Sequence, residues 1–470
     1  MDLKKKIKDS RMTGFQIRAI AICFILNLVD GYDVVIMPLS APQVAEQWAV
    51  GDVLLGYLLS ASLIGMAIGA FGLTPLADFI GRRNVTLTAL VLATVGMVVG
   101  LFAPNVEVLL ISRIIAGIGI GGMVANITVI VAEYSNRKYA ALATGIYAAG
   151  YPVGASVGGA IAGALLAQWG WRETFLLGVV LTALCLIGAA LLMPESYEYL
   201  IHKGDQKSLE KLNKILPKIN QAPVTVADLP SQRAAEKVTV GELFREVFSK
   251  TMWLQTVLAW VGYSLLTASF YFANSWTTKI IATTASDPNT GVTASVLYNA
   301  GGIVGSAIFG IIAIKVAPRR LLAITMVVAA ATYFFFGATI DTIGLAMVIG
   351  VFAGMAVVAG VSGVYLIGPA IYPTKVRGAG FGWLMGVGRL ASIAAPILVG
   401  YLLAGGMEAT QVYQLFAIPL LISAAAFWLL GVVRKRNGQL SEPTHQTEAL
   451  PVVSASGVRE QQATWTTVQN

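Results

Sequence analysis

Twelve apolar runs of membrane-spanning length decide what this 470-residue chain can fold into. They fall at about 17–39, 53–74, 85–103, 108–133, 140–166 and 171–193, then 252–276, 292–314, 321–339, 343–370, 379–403 and 409–433. About 20 apolar residues in a helix cross a hydrocarbon core. Only helices and closed barrels satisfy their backbone polar groups there, and unalternating runs of this length predict helices. Charged residues make up 12% of the chain, about half the share found in soluble proteins. The expected fold class is an all-α membrane protein with twelve transmembrane helices.

The net charge is +8, and its placement matters more than its size. With both termini in the cytoplasm, the cytoplasmic segments collect Lys4, Lys5, Lys6, Lys8, Arg82, Arg83, Arg137, Lys138, Arg319, Arg320, Lys375, Arg377 and Arg434–Arg436. This is the positive-inside bias, so the basic excess calls for the lipid bilayer as partner and for no nucleic acid. Arg113, Arg172, Lys279 and Arg389 fall elsewhere. The first run is long, contains Asp30 and Asp33 and lacks a small-residue cleavage site, which predicts a retained helix. Cys23 and Cys185 lie in spans and His202 and His445 in polar segments, so no disulfide, metal site or cofactor is expected.

Residues 194–250 interrupt the apolar pattern as a polar cytoplasmic linker, with a short amphipathic helix predicted at 208–216. The expected organisation is a six-helix bundle over 1–193, the linker 194–250, a second six-helix bundle over 251–436 and a disordered tail over 437–470. The two halves look duplicated. A shift of 238 residues carries Phe71-Gly72 onto Phe309-Gly310, Arg82 onto Arg320, Tyr134 onto Tyr372, Arg137 onto Lys375 and Gly150 onto Gly388. Paired six-helix repeats with a site at their interface are a transporter architecture.

Charges inside spans are costly and usually face a protein-lined cavity. Asp30 and Asp33, at i and i+3, share one face of the first helix, and Gly31 between them permits close approach by a backbone or ligand. They are candidates for carrying protons, with Arg113 in the fourth span as a possible ion-pair partner of either. A purely structural pair is the competing reading. Arg389 falls near the midplane with no acid of the second half at its depth, so it needs another anion, and a guanidinium binds a carboxylate in bidentate fashion. The repeat mate of Arg389 is Tyr151, and that of Asp33 is Tyr271. Tyr271, Asn274 and Trp276 form a group that could stack on a ring and bond its substituents. The stretch Gly150-Tyr-Pro-Val-Gly154-Ala-Ser-Val-Gly158 is a small-residue surface for close helix packing.

Several of these stretches match known patterns. Thr74-Pro-Leu-Ala-Asp78-Phe-Ile-Gly81-Arg82-Arg83 resembles the loop 2–3 motif of the major facilitator superfamily, and Arg113-Ile-Ile-Ala-Gly117-Ile-Gly119 its fourth-helix motif. Asp30-Gly-Tyr-Asp33, Glu133-Tyr-Ser and Tyr372-Pro-Thr-Lys-Val-Arg377 with Arg389 are similar to the aromatic acid:proton symporter family. Thr74 and Phe79 depart from the loop motif, and the matching loop of the second half has lost its Asp. The resemblance implies two pseudo-symmetric six-helix bundles that work as a monomer in the bacterial inner membrane. It implies import of a small aromatic carboxylate, of benzoate or hydroxybenzoate type, in symport with protons. Proton coupling would rest on Asp30, Asp33 and Arg113, and substrate binding on Arg389, Tyr271, Asn274, Trp276 and Tyr151. Asp78, Arg82, Arg83 and Glu133 would gate. The alternative is a proton-coupled exporter of drugs or organic acids. No catalytic arrangement appears in a cytoplasmic segment, so an enzyme is not expected.

Overall fold

A computed structural model describes residues 3–225, 240–313, 315–373 and 376–436. It has twelve helices long and apolar enough to cross a membrane. The first six are α1 (Gly14–Trp48), α2 (Asp52–Ile80), α3 (Arg82–Leu101), α4 (Val106–Tyr134), α5 (Leu142–Gln168) and α6 (Trp171–Leu192). The second six are α7 (Trp253–Ala285), α8 (Pro288–Ile312), α9 (Pro318–Ala338), α10 (Ile343–Ile367), α11 (Arg377–Ala404) and α12 (Ala409–Arg436). The protein is a multi-pass membrane protein. The end of the bundle that carries Leu3 and Arg436 is called the base, and the opposite end the top.

Apolar runs set the number of helices but underestimate their length. α1 begins after Thr13, whose side chain and that of Gln16 form a reciprocal capping box. It continues nine residues past Leu39, because Gln43, Glu46 and Gln47 are helix formers that an apolar criterion rejects. The midpoint of its 35 residues falls at Gly31, so Asp30 and Asp33 flank the centre of the helix.

The packing repeats between the halves. α2 packs on α4, α1 on α5 and α3 on α6, and the repeat mates α8 on α10, α7 on α11 and α9 on α12 do the same. Small residues permit the tightest of these crossings. A Cβ on Gly154 would lie 1.8 Å from the Leu28 carbonyl oxygen, and one on Gly31 would lie 2.0 Å from that of Tyr151. The glycine-rich stretch is thus a packing surface between α5 and α1. There α5 holds a π turn at Gly154–Gly158, just after Pro152 has removed a backbone donor.

The halves meet through α1 on α7, α2 on α11 and α5 on α8. The contacts concentrate at the top. Ser60 Oγ donates to the Ile393 carbonyl (2.9 Å), the Tyr57 and Tyr401 hydroxyls lie 3.3 Å apart, and Lys279 pairs with Asp52. Nearer the base, the α2 rings of Phe71 and Phe79 stand exposed. The Ser60, Tyr57 and Lys279 contacts shut the top.

The linker is shared between the halves. The expected amphipathic helix spans Gln206–Ile215 and, with Tyr197–Lys203 and Leu216–Ile219, buries Tyr197, Leu200, Leu212, Leu216 and Ile219 in the core of the first half. The helix Val240–Val247 sits under the second half, where Phe244 meets Trp383 edge-on. The N-terminal helix Leu3–Asp9 docks under the first half, and Lys8 Nζ donates to the carbonyls of Ala132, Glu133 and Ser135 at the foot of α4. Residues 226–239, Thr374, Lys375 and the expected tail 437–470 lie outside the described residues.

Candidate transport site

Two charged centres lie near the middle of the bundle. The first belongs wholly to the first half. Arg113 Nη2 on α4 reaches Asp33 Oδ1 at 2.8 Å, the Asp33 backbone carbonyl at 3.0 Å and Ser62 Oγ at 3.2 Å. Ser62 donates to the other carboxylate oxygen at 2.9 Å. Asp33 and Arg113 are 0% and 1% exposed, and the Phe175 ring closes the far side of the guanidinium at 5.8 Å. A buried carboxylate with a cation and a hydroxyl donor has its charge compensated on the spot. Of the two pairings the sequence allowed, the structure contains Asp33 with Arg113.

Asp30 goes elsewhere. It is 4% exposed, its Oδ1 has no hydrogen-bond partner, and no cation comes within ion-pair distance among the described residues. It lies within electrostatic reach of Arg389 across the interface between the halves. Positions i and i+3 are about 60° apart around a helix. That angle is enough to send Asp33 into its own half and Asp30 toward the other.

The second centre surrounds Arg389, within two residues of the midpoint of α11. Its Nη1 donates to the Tyr271 hydroxyl at 3.2 Å. Tyr263 and Tyr365 lie within electrostatic reach of the guanidinium, and Tyr151 of the first half lies within reach of Tyr271, Asp30 and Arg389. Tyr151, Tyr271, Asp30 and Arg389, all singled out in the sequence, therefore converge. A planar cation bonded to a phenol hydroxyl, with further tyrosines within electrostatic reach, is suited to a planar anion with polar substituents.

Between the two centres lies a void of about 10 Å³, room for about one water, lined by Ser62 and Arg113 of the first half and Tyr271, Asn274 and Ser275 of the second. Asn274 is 2% exposed, and neither of its amide atoms has a hydrogen-bond partner. Trp276 is not in this group. It is fully buried and donates Nε1 to the Pro396 carbonyl at 3.1 Å, inside the second half. Five residues from Tyr271 is about 140° around the helix, which turns it away.

At the base, Gly81 (φ 98°) breaks α2 from α3. Arg82 Nε lies 3.3 Å from Glu133 Oε1, and its Nη2 lies 3.8 Å from the largely exposed Asp78. Arg83 does not join them. Its Nε donates to the Met193 carbonyl at 2.9 Å and its backbone N–H to Glu195 Oε1 at 3.1 Å, tying α3 to the end of α6. Glu195 was missed in the sequence, where an acid directly after an apolar span was the available signal. The Asp52 partner of Lys279 was missed as well, because nothing local joins residues 227 positions apart.

The Major Facilitator Superfamily model matches residues 22–285 and 268–468. The chain belongs to that superfamily. A 4-hydroxybenzoate transporter of Pseudomonas aeruginosa, PcaK, is 27% identical over 92% of this chain and 96% of its own length. A gallate transporter of Pseudomonas putida is 26% identical over 93% of this chain and 96% of its own. The narrower resemblance thus extends to relatives named for transporting aromatic acids. Among solved structures, the partially occluded inward-open xylose transporter XylE from E. coli superposes with a TM-score of 0.70, covering 89% of this chain and 98% of that one at 14% identity. The fold is that of the superfamily, whose members move solutes and do not catalyse reactions on them.

Proposed function

We propose that this facilitator imports a small aromatic carboxylate, of the benzoate or hydroxybenzoate class, together with protons. The observation that carries the reading is Arg389. A midplane guanidinium held by one tyrosine hydroxyl, within range of a carboxylate but not paired with it, keeps donors for a ligand. The substrate carboxylate would take those donors, its ring would lie among Tyr151, Tyr263 and Tyr271, and Asn274 would be available to a ring hydroxyl. The names of the relatives point to the same substrate class.

The proton would act through the acids of α1. Asp33 is balanced by Arg113, whereas Asp30 has no cation of its own and lies within electrostatic reach of the Arg389 guanidinium. A proton on Asp30 removes a charge that competes with the substrate for Arg389. Proton and substrate then favour the same state, which is what coupling requires. With the base in the cytoplasm, as the positive-inside bias orients it, the closed top gives a state that releases cargo inward. Asp78, Arg82 and Glu133 sit where the base must close in the alternate state, so their contacts are candidates for the gate.

The test is uptake of labelled 4-hydroxybenzoate and benzoate into proteoliposomes under an imposed inward proton gradient. Accumulation that a protonophore collapses is expected. A folded protein that accumulates neither acid under any gradient contradicts the proposal.

A further inference from the structure

The base of the second half gathers arginines that the proposed transport site does not include. In the first half Arg82, at the start of α3, pairs with Glu133, and the Arg83 guanidinium donates to the Met193 and Ala190 carbonyls. The 238-residue shift places the buried apolar Ile371 where Glu133 stands, so Arg320 has inherited no acid. Arg319, in the first turn of α9, lies instead within electrostatic reach of Arg434, in the last turn of α12, where the two helices pack together.

Arg434 is 7% exposed, and its Nε and Nη1 have no hydrogen-bond partner; neither does Arg319 Nε. A guanidinium does not shed its proton, and these two, Arg434 buried and Arg319 half-buried, repel each other with no acid paired to either among the described residues. The free amides at the start of α9, which opens with Pro318, add positive potential at the same spot. Arg320 and Arg436 stand exposed on the rim. Buried, forked donors, a helix N-terminus and a cationic rim together are the chemistry that takes phosphate oxygens.

We propose that the Arg319–Arg434 notch at the foot of α9 and α12 binds a phosphate group, supplied by an anionic phospholipid of the adjoining leaflet. The membrane source follows from position. Above the notch α9 and α12 turn Ile324, Val328, Trp428 and Val432 outward, an apolar wall along which acyl chains can lie while the headgroup reaches the arginines.

The full-length protein, purified in detergent, would be tested for retained lipid by native mass spectrometry after exposure to phosphatidylglycerol or phosphatidylcholine. Wild type is expected to keep phosphatidylglycerol preferentially and to melt at a higher temperature with it. Retention should weaken about fivefold for each of Arg319→Gln and Arg434→Gln, and stay unchanged in Lys207→Gln, an exposed base residue under the first half. Wild type that shows no preference for the anionic lipid overturns the proposal without any variant having to fold. So does equal retention by the Arg319→Gln/Arg434→Gln double variant. If millimolar inorganic phosphate raises the melting temperature of wild type and displaces the lipid, the lipid source is overturned and the notch is a free-phosphate site.

Discussion

Helices α4 and α11 each carry one arginine into the middle of the bundle, and the two are held in opposite ways. Arg113 is sealed: a carboxylate, a backbone carbonyl and a serine surround it, all from its own half. Arg389 is open, with one phenol bonded and its nearest acid belonging to the other half. The base repeats the contrast, since Arg82 meets Glu133 while Arg319 and Arg434 meet no acid among the described residues. Two copies of one helical scaffold have thus come to differ in charge economy. The first half pairs Arg113 and Arg82 with its own acids and leaves Asp30 without a cation, whereas Arg389, Arg319 and Arg434 of the second half have no paired acid among the described residues. Under the proposed function, such a division would let one half hold the proton and the other the anion on the same helix packing.

Breaking the sealed arginine should cost most. Arg113→Met leaves Asp33 buried and unpaired, so stability should fall by about 3–5 kcal/mol, visible as loss of the folded peak and a lower melting temperature in detergent. Asp33→Asn added to Arg113→Met should recover much of it. If Arg113→Met alone were neutral, the pair would not be sealed. Opening the other arginine should act on transport rather than on folding. Arg389→Ala should weaken apparent substrate affinity by about 100-fold in concentration-dependent uptake, with the melting temperature little changed, and Arg389→Lys should recover only part of it.

Two further changes sharpen the comparison at the helix contacts. Gly154→Ala drives a methyl into the Leu28 carbonyl and should lower stability by about 1–3 kcal/mol, whereas Gly145→Ala, with open space around it, should not. Lys279→Met removes the cross-half pair with the partly exposed Asp52 at the top. An exposed pair contributes little, so the expected effect is about a threefold gain in labelling of a cysteine placed at Ser275, with partial reversal in the Asp52→Lys/Lys279→Asp swap. Unchanged labelling would leave closure of the top to the apolar and hydroxyl contacts of α2 with α11.

Much of this was readable in the sequence because the bilayer penalises exceptions so strongly. Apolar runs marked all twelve helices, and the cost of intramembrane charge singled out Asp30, Asp33, Arg113 and Arg389. Helix ends were not readable, as the nine extra residues of α1 illustrate, because helix propensity continues where hydropathy stops. Depth along a helix could not decide whether Asp30 or Asp33 meets Arg113; the answer depends on rotation about the axis. The same rotation separates Trp276 from Tyr271 and Asn274. Contacts such as Lys279 with Asp52 and Arg319 with Arg434 exist only once the halves and helices are packed, and no local pattern announces them.

The central claim is the division of labour between Arg389 and Asp30. Entrance counterflow of labelled 4-hydroxybenzoate in proteoliposomes without a proton gradient tests it most directly, run beside gradient-driven uptake on the same preparations. Exchange needs substrate binding and the conformational cycle but no net proton movement. Asp30→Asn is predicted to keep counterflow and lose gradient-driven accumulation, and Arg389→Ala to lose both. Counterflow that survives Arg389→Ala, or gradient-driven accumulation that survives Asp30→Asn, would contradict the account.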